Sequence, residues 1–211
     1  MKPAQEIALW ADRLRHLSAM GLRFSKDPYD RQNYDKIQEI SREMMSLAAA
    51  ENLGDIEPLN RSLMRRPTPF ATGDAAIIDD HGRILLIRRA DNGKWAMPGG
   101  ALEVGETPAE GVLREALEET GVHCEIVALA GLHDSRRVGA ETPNHLYMIM
   151  FLCRPLSGQE LNTQPATPDE ILERRWFAQN ELPPDVDPGH VTRIPEAYRV
   201  WQSDARTAYD V

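Results

Sequence analysis

The chain has 211 residues, 42% hydrophobic and 27% charged, which allows one ordinary domain with an appendage or two small domains of globular composition. A formal net charge of −9 argues against non-specific binding to nucleic acid or to an anionic membrane surface, and it leaves any polyanionic substrate to a metal ion or to local arginines. The two cysteines, Cys124 and Cys153, have no close pairing motif and read as buried thiols in a reducing cytoplasm. The first residues, MKPAQEIALWADRLRHL, carry charge throughout and do not read as a signal peptide. The longest apolar run, Leu146 to Cys153, is too short to span a bilayer and predicts a buried strand.

In chain order, the first fifty residues are helical in pattern. Ile7, Trp10, Leu14 and Leu17 recur at three-and-four spacing, as do Tyr34, Ile37, Met44 and Leu47. Gly21 and the turn-prone Ser25-Lys26-Asp27-Pro28 are expected to break the helix, giving an α-helical hairpin over residues 1–66. Such a hairpin cannot bury its own apolar stripe, which must pack on the rest of the chain or on another subunit. Arg65-Arg66-Pro67-Thr68-Pro69 reads as a linker into a second domain, residues 67–211.

From Phe70 the pattern becomes α/β. Ala75–Ile78 and Ile84–Ile87 are apolar runs joined by Asp79-Asp80-His81-Gly82, a hairpin signal. Trp95–Pro98 is a short extended segment leading to Gly99-Gly100. A helix is expected from Pro108 to Thr120: Thr107 is its N-cap, Pro108 takes the first helical position, Glu110 completes a capping box, and Gly121 suits a left-handed end. Ile126–Leu132, Leu146–Cys153 and Glu173–Phe177 are further strands, and Ile194–Tyr209 reads as a final helix.

The most informative segment is Gly100 to Val122, GALEVGETPAEGVLREALEETGV. At about 100° per residue, Glu115, Glu118 and Glu119 share an arc of roughly 100°, with Val112, Leu113, Ala116 and Leu117 on much of the opposite side. Acids packed so closely repel one another unless a cation sits among them. Carboxylates of this kind suit Mg²⁺ or Mn²⁺, most often for a phosphate substrate. The competing reading is a solvated charged face on a surface helix.

Gly100–Val122 matches every position of the Nudix box, and Trp95-Ala96-Met97-Pro98-Gly99-Gly100 resembles the approach strand of the Nudix hydrolases. The resemblance implies a mixed-sheet α/β/α sandwich and an enzyme that hydrolyses a nucleoside diphosphate linked to another group. It implies Glu115 and Glu119 as metal ligands, Glu118 as a third ligand or one acting through water, and a carbonyl of Gly99 or Gly100 completing the set. It casts Arg114 and Glu106 as structural support that orients the glutamates. Glu170 matches the late glutamate that many members use for metal or base; the alternative is an exposed loop acid, and Glu141 is a weaker contender. Arg88 and Arg89, after a strand and near the glycine turn, are candidates for substrate phosphates or ordinary surface charge. Asp134, Arg136 and Arg137 are placed on a loop bordering the same cleft. His133 and His145 read as structural, Met97, Met148 and Met150 as core, and Tyr29 and Tyr34 as base-stacking or helix-packing groups.

The first 65 residues resemble the helical extension of the CDP-choline pyrophosphatases and the related ADP-ribose pyrophosphatases, where the extension is linked to dimer formation. CDP-choline, cleaved to CMP and phosphocholine, is therefore the first substrate expectation and ADP-ribose the second. An RNA 5′-end pyrophosphohydrolase and a non-catalytic nucleotide sensor remain as alternatives. The expected setting is a cytoplasmic homodimer acting on a small nucleotide conjugate, with no membrane and no nucleic-acid partner.

Overall fold

The computed structural model describes residues 3–49, 69–141, 145–156, 161, 169–202 and 207–209. It divides into two compact units, Met1–Thr68 with Glu103–Gly105, and Pro69–Leu102 with Glu106–Val211. The expected linker residues 65–68 lie outside the described residues. No helix among the described residues is long and apolar enough to cross a membrane.

In the first unit, helices α1 (Pro3–Phe24) and α2 (Pro28–Ala49) form a hairpin. The break falls at Ser25–Asp27. Asp27 Oδ1 accepts the amides of Tyr29 and Asp30, and Pro28 opens the second helix. Gly21 does not break α1, contrary to expectation; it lies inside the helix, and the Tyr34 ring of α2 fills the space where a side chain would be. The seam between the helices is made of small residues, with Ala11, Ser18 and Ser41 fully buried and the Ser41 hydroxyl donating to the Ala11 carbonyl. A close seam of this kind turns larger side chains outward. Trp10, Leu17 and Leu47, read from the sequence as part of a packed stripe, are 51%, 61% and 76% exposed in this chain.

The second unit contains β1 (Phe70–Ile77), β2 (Arg83–Arg89), β3 (Trp95–Ala96), β4 (Gly99–Ala101), α3 (Pro108–Thr120), β5 (Cys124–Asp134), β6 (Leu146–Pro155), β7 (Ile171–Ala178), α4 (Pro188–Val191), α5 (Arg193–Trp201) and β8 (Ala208–Tyr209). A mixed sheet runs β4-β1-β6-β5-β8, with β1 parallel to β6, and an antiparallel sheet runs β3-β2-β7. Alternate residues of β1 and β2 feed two cores. Ala75, Ile77 and Leu85 pack with Val112 and Ala116 of α3. Ala76, Ile84 and Leu86 pack with Ile194, Ala197 and Tyr198 of α5. Sheets covered on both faces by helices explain why these strands are continuously apolar.

Two expectations are corrected. The turn at Asp79–Gly82 forms a single antiparallel bridge, Ile78 to Ile84, and the two strands then enter different sheets. β6 pairs along the whole of β1 and β4 with Thr72–Asp74, while β2 pairs instead with β3 and β7. The last helix stops at Trp201 rather than Tyr209, and Ala208–Tyr209 instead pair in parallel with Gly131–Leu132 on the open edge of β5. Helix α3 matches its expected bounds, with the capping box formed and Gly121 left-handed at φ 69°. Leu117, expected on its packed side, is exposed.

Gly21→Ala is expected to destabilise the helical hairpin by about 1–3 kcal/mol, despite the higher helix propensity of alanine. An added Cβ would fall 2.3 Å from Tyr34 ring atoms. Circular-dichroism melts check this, and in a Tyr34→Leu background the alanine penalty should disappear.

Candidate active site

Helix α3 is held in place by its apolar face and turned by its charged one. Arg114 is the hub of that charged face. Its Nε and Nη2 donate to the two oxygens of Glu106 at 3.1 and 3.0 Å, its Nη1 to Glu115 at 2.8 Å and Glu118 at 3.2 Å, and its Nη2 also to the Ala101 carbonyl at 3.2 Å. The hydrogen bonds to Glu106 are the largest influence raising its pKa, so the guanidinium stays charged. Glu115 is pulled the other way. Burial raises its pKa, and Arg114 partly offsets that.

Glu119, one helical turn from Glu115, faces a cavity of about 630 Å³. Its Oε2 accepts the Gly99 amide at 2.7 Å. Burial, with the charges of Glu115 and Glu170 adding to it, pushes the Glu119 carboxyl up to about 8. Gly100 leaves room for the neighbouring acid, since a Cβ there would sit 2.8–2.9 Å from the Glu115 carboxylate.

The cavity wall brings together Gly99, Gly100, Glu119, Glu170 and Arg89. Arg89 is gripped by Asp91 at 2.9 and 2.6 Å. The other sequence candidates lie elsewhere. Arg88 turns aside on β2 and donates to the Gly93 carbonyl at 2.9 Å. Glu115, Glu118, Arg114 and Glu106 are not on the wall, and Glu141 pairs with Lys94. Asp134 is bound by Arg136 and His145. His133 is buried within 3.0 Å of Glu196. Met148 and Met150 are buried on β6, and Tyr29 is exposed.

Among the described residues no group of three or more His, Cys, Asp or Glu side chains is drawn together to hold a metal ion. The donor chemistry nevertheless fits a hard divalent cation: carboxylate oxygens of Glu119 and Glu115 beside the Gly100 main chain, with the buried Glu119 burdened by neighbouring negative charge.

The sequence profile of the NUDIX domain matches residues 69–197, more than half of the chain. The chain belongs to the Nudix hydrolase family. A second profile, for a UDP-X-like N-terminal oligomerisation domain, matches residues 5–59 of this Nudix hydrolase. Its sequence is 34% identical over 175 residues to a putative ADP-ribose pyrophosphatase, YjhB, of Bacillus subtilis, covering 82% of this chain and 81% of the other. It is 36% identical over 110 residues to an ADP-ribose pyrophosphatase of Methanocaldococcus jannaschii, covering 51% and 61%. A crystal structure of a UDP-X diphosphatase superposes with a TM-score of 0.61 at 26% identity, covering 98% of this chain and 99% of that one.

The sequence reading missed part of the cavity floor of this Nudix hydrolase. Asp74, Thr72 and His190 also line the cavity. Beneath them Arg193, fully buried, donates to Asp74 at 2.6 Å and to the Gly189 carbonyl at 2.6 Å. Two signals were available in the sequence: an acid set inside an otherwise apolar strand, and a His-x-x-Arg spacing that puts both side chains on one face of a helical turn. Burial lowers the pKa of His190, and the charge of Arg193 lowers it further, against Asp74 and Asp187 which raise it.

A histidine neutral in the fold but able to charge in the unfolded chain favours folding above its ordinary pKa, near 6.5, and that contribution is lost as pH falls below it. Melts of the metal-free protein from pH 7 to pH 4.5 are expected to fall more steeply for wild type than for His190→Gln. Parallel curves would contradict the assignment.

Proposed function

We propose that this Nudix hydrolase cleaves the pyrophosphate bond of a nucleoside diphosphate linked to a second group. The observation that carries this reading is the cavity that joins the end of the acidic helix, Glu119, to Arg89 and Glu170. At its edge, Glu119 and Glu115 with the Gly100 main chain would hold Mg²⁺ or Mn²⁺, with Glu118 as a third ligand or one acting through water. Such an ion neutralises phosphoryl oxygens and acidifies water. Arg89 orients a phosphate, Glu170 accepts the proton of the attacking water, and Arg114 keeps Glu115 aimed through its anchor on Glu106. Arg88 remains a candidate only for a phosphate outside the cavity.

CDP-choline remains a candidate substrate from the likeness of the N-terminal extension. ADP-ribose is supported by the names of two relatives, and a UDP conjugate by that of the superposed structure and of the N-terminal profile. For the first fifty residues we propose a role in homodimer formation. The exposed Trp10, Leu17 and Leu47 are the apolar surface that a second copy would cover. The free thiols of half-buried Cys124 and buried Cys153 are consistent with a cytoplasmic setting.

A panel of CDP-choline, ADP-ribose, UDP-glucose, NADH, dinucleoside polyphosphates and triphosphorylated RNA, with Mg²⁺ or Mn²⁺, is expected to release nucleoside monophosphate from the nucleoside diphosphate conjugates. Glu119→Gln should lower that rate on the order of 10²-fold or more with the fold intact, and Glu170→Gln should lower kcat with metal affinity unchanged. Cleavage of none by wild type would favour a sensor. Light scattering at micromolar concentration is expected to give the mass of a dimer, and Trp10→Glu with Leu17→Glu the mass of a monomer.

A further inference from the structure

The floor of the cavity holds a polar device that the hydrolytic reading does not use. The Met97 amide donates to His190 Nδ1 at 3.3 Å, which assigns the imidazole proton to Nε2. Arg193 Nη2 lies 3.3 and 3.4 Å from the two ring nitrogens. Nη2 is thus shared between the two nitrogens rather than aimed at one of them. A guanidinium is a donor only, so it cannot satisfy Nε2–H. His190 is 5% exposed and lines the cavity, and the partners of its ring nitrogens, the Met97 amide and Arg193 Nη2, are both donors.

The ion pair with Asp74 cancels the charge of Arg193 beneath the floor. Burial first, and then the remaining influence of Arg193, keep the imidazole neutral, and with Nδ1 occupied and Nε2 protonated the ring has no lone pair for a metal ion. Beside it, Thr72 leads to Asp74 along the same face of β1, two residues apart. The Thr72 hydroxyl oxygen is buried without a hydrogen-bond partner. Met97, Met148 and Ile87 supply apolar surface to the same cavity, alongside its acids and Arg89. A neutral donor and a hydroxyl set in apolar surface suit the edge of an uncharged, acceptor-bearing ligand group and not an anion.

We infer that His190 and Thr72 form a subsite for a hydrogen-bond acceptor on the nucleoside portion of the substrate, with Asp74 and Arg193 as the residues that position the imidazole. The inference rests on the nucleotide-hydrolase reading for its ligand class, but its test needs no hydrolysis. Turnover of the substrate panel tests the reaction, and binding tests the subsite. The probes are CMP, UMP, AMP and ribose 5-phosphate, titrated calorimetrically into the intact protein.

Wild type is expected to bind at least one monophosphate. His190→Phe, which keeps a ring but removes the donor, should weaken that binding about tenfold or more, whereas His190→Gln, which carries an amide donor to a similar reach, should stay within about threefold. Thr72→Val should weaken the same probe without lowering the melting temperature, because the hydroxyl it removes has no partner in the free protein, and it serves if His190→Phe does not fold. A loss equally large for ribose 5-phosphate assigns the acceptor to a sugar hydroxyl, and a loss confined to the nucleotides assigns it to the base. Equal affinity in wild type and variants, equal loss in His190→Phe and His190→Gln, or no binding of any probe to wild type would overturn the inference.

Discussion

Arg114 solves the electrostatic problem that the acidic helix creates. Four carboxylates, those of Glu106, Glu115, Glu118 and Glu119, lie on or beside one short helix, and three of them are tied to a single guanidinium. The planar fork matters here because one face grips Glu106 at two points while the remaining nitrogen reaches across to the helix acids. A lysine could supply the charge but not that geometry. With three acids accounted for, Glu119 alone is delivered into the cavity, where burial holds its proton more tightly than in water.

The cavity is lined from both sheets. β1 brings Thr72 and Asp74 from one sheet, and β2 brings Ile87 and Arg89 from the other. Both sheets remain cemented by shared cores on their two faces, so the walls are rigid while the groups on them are polar. The result is a division of labour across one opening. The acids and Arg89 suit a metal-bound phosphate, and the His190 floor, neutral by the pairing of Asp74 with Arg193, suits an uncharged group.

How much of this was legible in the sequence follows from how local each signal is. The capping box, the proline start and the glycine end specify α3 to the residue, because capping depends on neighbours three or four positions away. The Nudix box carries its own spacing for the same reason. The stripe of α1 was misread in part, since periodicity reports which side chains share a face but not whether a small-residue seam such as Ala11, Ser18 and Ser41 will be preferred over Trp10 and Leu17. The splayed hairpin was hidden because each strand pairs with a partner far along the chain, β1 with β6 and β2 with β7. His190 and Arg193 were passed over because their partner, Asp74, lies more than a hundred positions earlier.

By itself, then, the sequence determined the helix that carries the acids, its two ends, the family and the reaction class, all of which are encoded in contacts within about one or two helical turns. Only the tertiary structure decided that Glu119 rather than Glu118 enters the cavity, that Arg89 rather than Arg88 does so, and that a buried Asp74–Arg193 pair underlies a neutral His190. Those choices turn on which face of an element meets which distant neighbour, and that is settled by packing between elements, which no local spacing records.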